Sequence, residues 1–142
     1  MALIEDALVQ MLNAVPAVIT AVGERLYHLD AKNFTVAIDG RAYGVYELSS
    51  RVDNRTLSGP SGLITSTFLV TWYGPNGREL KRVARAVEAI GNTPRGMFNN
   101  IAFIEKVLVD DETDEFTAPN QGQQRGDKGV RQEVTIWHQR ET

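Results

Sequence analysis

Between Ile64 and Ile90 the hydrophobic period of the chain changes once, and the change predicts a strand, a turn and a helix. In Ile64-Thr-Ser-Thr-Phe68-Leu-Val70-Thr-Trp72 the even positions are apolar except Ser66, while the odd ones include Thr65, Thr67 and Thr71. A period of two, rich in β-branched and aromatic residues, is that of a half-buried strand. Tyr73-Gly-Pro-Asn76-Gly77 breaks it, because proline offers no ladder donor and glycine tolerates turn geometry. Leu80, Val83, Ala84, Val87 and Ile90 then recur at steps of three and four, which places them on one helical face. Asn76 with Glu79 fits a variant of the capping box with asparagine as N-cap, and Gly91 suits a C-terminal stop. The opposite face carries Arg78, Lys81, Arg82, Arg85 and Glu88, a mainly basic stripe.

The same test applied along the chain predicts the remaining elements. Ile4, Leu8, Met11, Leu12 and Val15 predict a helix from about 3 to 14, with Glu5 and Asp6 suiting its positive end. Pro16 interrupts, Val18, Ile19 and Val22 suggest a short second helical turn, and Gly23 ends it. Strands are expected at 34–38 and 42–48, joined by Asp39-Gly40, since the favoured hairpin turn needs positive φ at both central positions. The polar stretch 49–62 is expected as a loop, too long for a routine hairpin connection. A second loop, 92–100, contains Met97 and Phe98 in exposed-looking positions. The run 101–109 is apolar on both faces, which predicts a strand inside the sheet. Residues 110–115 are acidic, 117–129 have almost nothing to bury and are expected to be mobile, and 130–138 alternate as a strand. The order predicts a single α+β domain over 1–142: a mostly antiparallel β-sheet with two main helices packed on one face, and mobile loops at about 50–62 and 114–129.

Composition narrows the function classes. At 142 residues, 42% hydrophobic and 23% charged, the chain has the make-up of an ordinary soluble domain, expected in the cytosol. A net charge of -3 gives no global case for nucleic-acid binding, which leaves only the local basic stripe. There is no cysteine, which excludes disulfides, thiolate metal sites and cysteine nucleophiles. The N-terminus lacks the basic and apolar segments of a signal peptide, and no apolar run approaches the roughly 20 residues of a membrane span.

Candidate chemistry is sparse. The acidic run Asp110, Asp111, Glu112, Asp114, Glu115 offers oxygen ligands but lacks the spacing of a calcium loop, so a solvated strand end is the better account. His28 and His138 are far apart, and no serine sits in a Gly-x-Ser-x-Gly elbow. Gly59-Pro-Ser-Gly62 lacks the Lys-Ser/Thr of a phosphate loop and runs into a strand instead of a helix. Arg125-Gly-Asp127 is an adhesion tripeptide by letter only. No catalytic, cofactor or metal residue is assigned.

Several stretches together resemble a family. They are 23–27 (Gly-Glu-Arg-Leu-Tyr), 42–49 (Ala-Tyr-Gly-Val-Tyr-Glu-Leu-Ser), 56–63 (Thr-Leu-Ser-Gly-Pro-Ser-Gly-Leu), 68–73 (Phe-Leu-Val-Thr-Trp-Tyr), 84–90 (Ala-Arg-Ala-Val-Glu-Ala-Ile) and 134–138 (Val-Thr-Ile-Trp-His). In that order they resemble the tail-completion proteins of long-tailed phages, the tail terminator and tail-to-head joining proteins. Ala42 departs from the pattern, where such proteins often have proline, and so does the long Gly/Gln segment at 117–129. The resemblance implies a non-enzymatic virion protein, assembled in the host cytoplasm, that forms a ring, typically a hexamer, at the head-proximal end of the tail tube. Its implied partners are its own copies, the tube protein and the head connector or stopper, with DNA passing through the pore ungripped. The weak negative charge agrees, because phosphate-neutralising cations would hold the strand. Candidate interaction residues are Arg51, Asn54, Arg55, Leu57, Met97, Phe98, Asp114, Glu115, Phe116 and Arg125. The alternatives are another neck or tail component, such as a stopper or tube protein, and a small nucleic-acid-binding module using Arg78, Lys81, Arg82 and Arg85.

Overall fold

A computed structural model describes residues 3–28, 42–56, 59–116 and 128–141. Helix α1 (Ile4–Asn13) turns at Pro16 into the short α2 (Pro16–Ala21). Strands β1 (Leu26–His28), β2 (Tyr43–Thr56) and β3 (Gly59–Gly74) lead to α3 (Gly77–Val87), which runs on as a 3-10 turn over Glu88–Asn92. Strands β4 (Gly96–Phe98), β5 (Ala102–Phe116) and β6 (Lys128–His138) follow. The six strands form one sheet in the order β1-β2-β3-β6-β5-β4, antiparallel throughout except for the β1/β2 pair. The expected α+β architecture is what the chain adopts.

The helices pack on one face of the sheet. Ile4, Leu8, Met11 and Leu12 of α1 and Leu80, Val83, Ala84 and Val87 of α3 share a core with Phe68, Val70, Trp72, Val134 and Ile136. Those strand positions are the even ones the alternation marked, and burying them supplies most of the drive to fold. Asn76 caps α3 as expected: its Oδ1 accepts from the Arg78 and Glu79 amides at 3.1 and 3.3 Å. The first turn of α1 is closed by Asp6, whose carboxylate accepts the Leu3 amide at 2.8 Å. Gly23, at φ +60°, supplies the left-handed residue that ends the α1–α2 unit.

Three expectations change and one, the second below, is qualified. The stretch 49–62 is not a long loop: β2 continues to Thr56 and β3 begins at Gly59. This end of the hairpin runs past the end of β6, since Ile64 is the first β3 residue to pair with it, opposite His138. Leu48 to Val52 are all exposed, so burial selects no apolar face there and the period-of-two signal disappears. Second, β5 lies inside the sheet as expected, between β6 and β4, but among the described residues β4 covers it at Ala102, Phe103 and Ile104 alone. Its two-sided apolarity reflects a bulge between Ile104 and Lys106, which puts Ile104 and Val107 on the same, inward face. Third, Met97 and Phe98 belong to β4 rather than to a loop. Fourth, β5 reaches Phe116 and β6 begins at Lys128, so 114–116 and 128–129 are strand; the expected strand at 34–38 and the segment 117–127 lie outside the described residues.

Candidate functional site

Two buried polar groups interrupt the core and have to be tested for chemistry first. Ser66, the exception in the β3 alternation, places its Oγ 2.8 Å from Nε2 of His138. His138 Nδ1 lies 2.6 Å from the Gln139 carbonyl. A carbonyl can only accept, so the proton sits on Nδ1 and Nε2 accepts from the Ser66 hydroxyl. This is the spacing of a nucleophile and its base, brought together from distant sequence positions. Both side chains are fully buried, however, so no substrate reaches the hydroxyl. Burial pushes the His138 pKa down, opposed by the bond to Gln139. The pair ties β3 to the end of β6.

The second group links the sheet to α3. Gln132 Oε1 accepts from Trp72 Nε1 at 2.9 Å, and its Nε2 donates to the Ala84 carbonyl at 2.6 Å. Where α3 tightens into the 3-10 turn, the Glu88 amide bonds to the carbonyls of Ala86 and Arg85. Gln132 therefore serves a helix carbonyl at the place where regular α-helical bonding gives way.

The surface residues fall at two ends of the sheet. At the end where β6 finishes, Arg51 Nη2 meets Glu141 Oε1 at 2.6 Å, and Glu141 Oε2 accepts the Ile4 amide at 3.2 Å. Burial pushes the Glu141 pKa up, but the hydrogen bonds from Arg51 and Ile4 outweigh it and hold the carboxyl below its usual range. Arg140 pairs with Asp53 at 3.0 Å, and across the sheet Arg95 pairs with Glu105 at 2.6 Å while lying 5.0 Å from the Phe103 ring centre. The Arg140–Asp53 and Arg95–Glu105 pairs are partly solvated and add little stability individually, whereas the Glu141 side chain is only 8% exposed. They do fix the C-terminal segment 139–141 between α1, β2 and β5.

The candidate residues distribute accordingly. Arg51 sits in that charged rim, and Asn54 and Arg55 lie further along the same strand. Met97 and Phe98 are at the same end but on the opposite edge. Met97 is exposed, as expected, whereas Phe98 turns inward against the core, a correction that follows from alternation along β4. Asp114, Glu115 and Phe116 end β5 at the other end of the sheet, opposite Val130, Gly129 and Lys128. Leu57 and Arg125 lie outside the described residues. The eight described residues thus do not converge on one site. On α3, Arg78, Arg82 and Arg85 are exposed and Lys81 is half-buried, beside Glu79 and Glu88. An apolar groove of about 560 Å³ opens between α1, α2, α3 and β4, with Met11, Pro16, Ile90 and Phe98 in its walls. It has almost no polar lining, so it offers surface to bury and no chemistry. No three of the described His, Asp and Glu residues converge as metal ligands would, and no described helix is long and apolar enough to cross a membrane.

No protein-family model matches the sequence, and no curated protein does. The fold is similar to that of a chain in the solved virion of a native gene transfer agent particle, with a TM-score of 0.54 at 12% identity. The match covers 94% of this chain and 91% of the other. At that identity the likeness is one of fold.

Proposed function

We propose that the protein is a structural, non-enzymatic component of a phage-like virion. Within it, the chain closes a ring, of six copies in the resembled family, on the head-proximal end of the tail tube, stops tube growth and joins the tail to the head connector. The observation that carries this reading is the end-to-end fold likeness to a chain of the gene transfer agent virion. Six ordered stretches that resemble tail-completion proteins support the finer role. The surface is of the kind an assembly part needs: charged rims at the strand ends, an exposed Met97, and an apolar groove with no convergent polar groups. A ring has two unlike patches meeting around a closed circle, and this asymmetric sheet presents two unlike edges.

Light scattering on the purified protein, followed by electron microscopy of tail tubes grown with and without it, tests the proposal. Rings at one end of tubes of fixed length are the expected outcome. Filaments of the protein itself would make it a tube component, and rings found only on connectors a stopper. A monomer that ignores tubes and binds DNA in a salt-dependent way would replace this reading with one based on the α3 stripe.

A further inference from the structure

At the end of the sheet where β6 finishes, the register lines up Asp53, Ile64, His138, Ile104 and Gly96 across five strands. The three ion pairs described above lie at or within three residues of that row, and each is built the same way round. The side chains of Arg95 and Arg140 are both 68% exposed, against 24% for Glu105 and 31% for Asp53, while Arg51 is 37% exposed against 8% for Glu141. In every pair the carboxylate is the inner partner and the guanidinium the outer one. A guanidinium has five N–H donors. Arg51 and Arg95 each spend two of theirs on the carboxylate behind, and Arg140 spends one, so most of each fork is not used by its own acid. That acid also holds the guanidinium in place, and less side-chain freedom is then lost when a second acceptor binds. Apolar surface gathers at the same end. Of the six large hydrophobics exposed among the described residues, three are here: Val52 next to Asp53, Met97 next to Gly96, and Leu3, which precedes the Ile4 amide bound by Glu141.

From this we infer that this end of the molecule seats on the end of the tail tube, and that the tube subunits present carboxylates beside apolar side chains to it. It rests on the ring proposed above and names the side of it that meets the tube. Charge complementarity selects the partner: outward guanidinium forks bind carboxylates in pairs of parallel hydrogen bonds. The exposed Leu3, Val52 and Met97 gain by burial against protein and gain nothing from a phosphate backbone. Arginine and methionine are also the side chains in which protein interfaces are enriched. A second copy is the other acidic candidate, because the run 110–115 lies towards the far end of β5. Copies stacked in that way would make a head-to-tail contact along the strands that does not close and grows a filament. A protein that stops a tube does not lengthen it. Stopping growth also means holding the tube end against the next tube subunit, which arginines already held in place and apolar anchors favour.

The cysteine-free chain makes this directly testable. Met97→Cys puts a single thiol at this end, and Arg78→Cys puts one at the opposite end, where α3 follows the last pair of β3 with β6 at Gly74. Tail tubes should slow maleimide labelling of Met97→Cys severalfold and leave that of Arg78→Cys unchanged. Arg95→Gln with Arg140→Gln should weaken capping of tubes about tenfold, with little change in Tm because both side chains are largely exposed. Arg95→Lys with Arg140→Lys, which keep the charge and lose the fork, should fall between. Shielding of Arg78→Cys instead of Met97→Cys, or capping left unchanged by the two glutamines, would overturn the inference while leaving the ring standing. A Met97→Cys thiol already shielded in the free oligomer would make this end a contact between copies, and one shielded by head connectors alone would give it to the connector; either overturns the inference. DNA affinity that disappears with the two arginines would overturn it in favour of phosphate. A protein that caps neither tubes nor connectors would remove the ring itself, and this face with it.

Discussion

Replacing Gln132 by leucine, similar in size and without polar atoms, tests the link between α3 and the sheet. The substitution leaves the Trp72 indole N–H and the Ala84 carbonyl without the partners they have at 2.9 and 2.6 Å. Each orphaned buried group costs about 1–3 kcal/mol, so roughly 2–6 kcal/mol is lost before the added apolar contacts return about 1. A net loss of about 1–5 kcal/mol is a large share of the roughly 5–15 kcal/mol that holds a domain of this size. Urea unfolding followed by circular dichroism reads it as a midpoint lowered by about 0.5–2.5 M at an ordinary m-value of about 2 kcal/mol per M. Trp72→Phe supplies the control, because with no indole N–H left to orphan, Gln132→Leu then exposes only the Ala84 carbonyl. The two substitutions should therefore be coupled by about 1 kcal/mol or more in a double-mutant cycle. If Gln132→Leu costs under about 0.5 kcal/mol, or the same in both backgrounds, the bridging role assigned to Gln132 is wrong.

Gly44→Ala should destabilise by about 1–3 kcal/mol, because its Cβ would come within 2.6 Å of the fully buried Trp72 ring and 2.8 Å of Leu26 Cδ1; a neutral Tm would contradict this. Asn76→Ala should cost about 1 kcal/mol through the lost cap of α3, with Asn76→Asp restoring most of it. Because burial depresses the His138 pKa, the unfolded chain takes up the proton first as pH falls. Stability should therefore be full above about pH 6.5 and decline below it until the folded pKa is reached, and His138→Gln should flatten that slope in unfolding measured against pH. The Glu141 carboxyl is also depressed, so its contribution is present above the ordinary carboxylate range and lost as pH falls through its folded pKa. Glu141→Gln should remove that lower step and leave the histidine step in place.

How much of this was legible in the sequence depends on whether a core lay behind the residues. The β3 alternation and the α3 stripe read correctly because burial selects their residues directly: Phe68, Val70, Trp72, Leu80 and Val83 all enter one core. Ser66 broke the pattern, and only the fold shows that His138, 72 positions away, is its partner. The outer part of the β2–β3 hairpin was read as a loop because it extends past β6, and its exposed residues Leu48 to Val52 are not selected by burial. The bulge beside Ile104 had a different effect: it displaced the alternation by one residue and made a strand with one buried face look apolar on both. The same limit applies to the candidate surfaces. A pairing edge is made of backbone N–H and C=O groups that every non-proline residue carries, so composition does not mark it. What marks it is how far the adjacent strand extends, and here β1 and β4 stop after three residues each. Leu108 then changes meaning: inside an apolar run it read as core, but in the fold it stands exposed on the sheet face turned away from the helices.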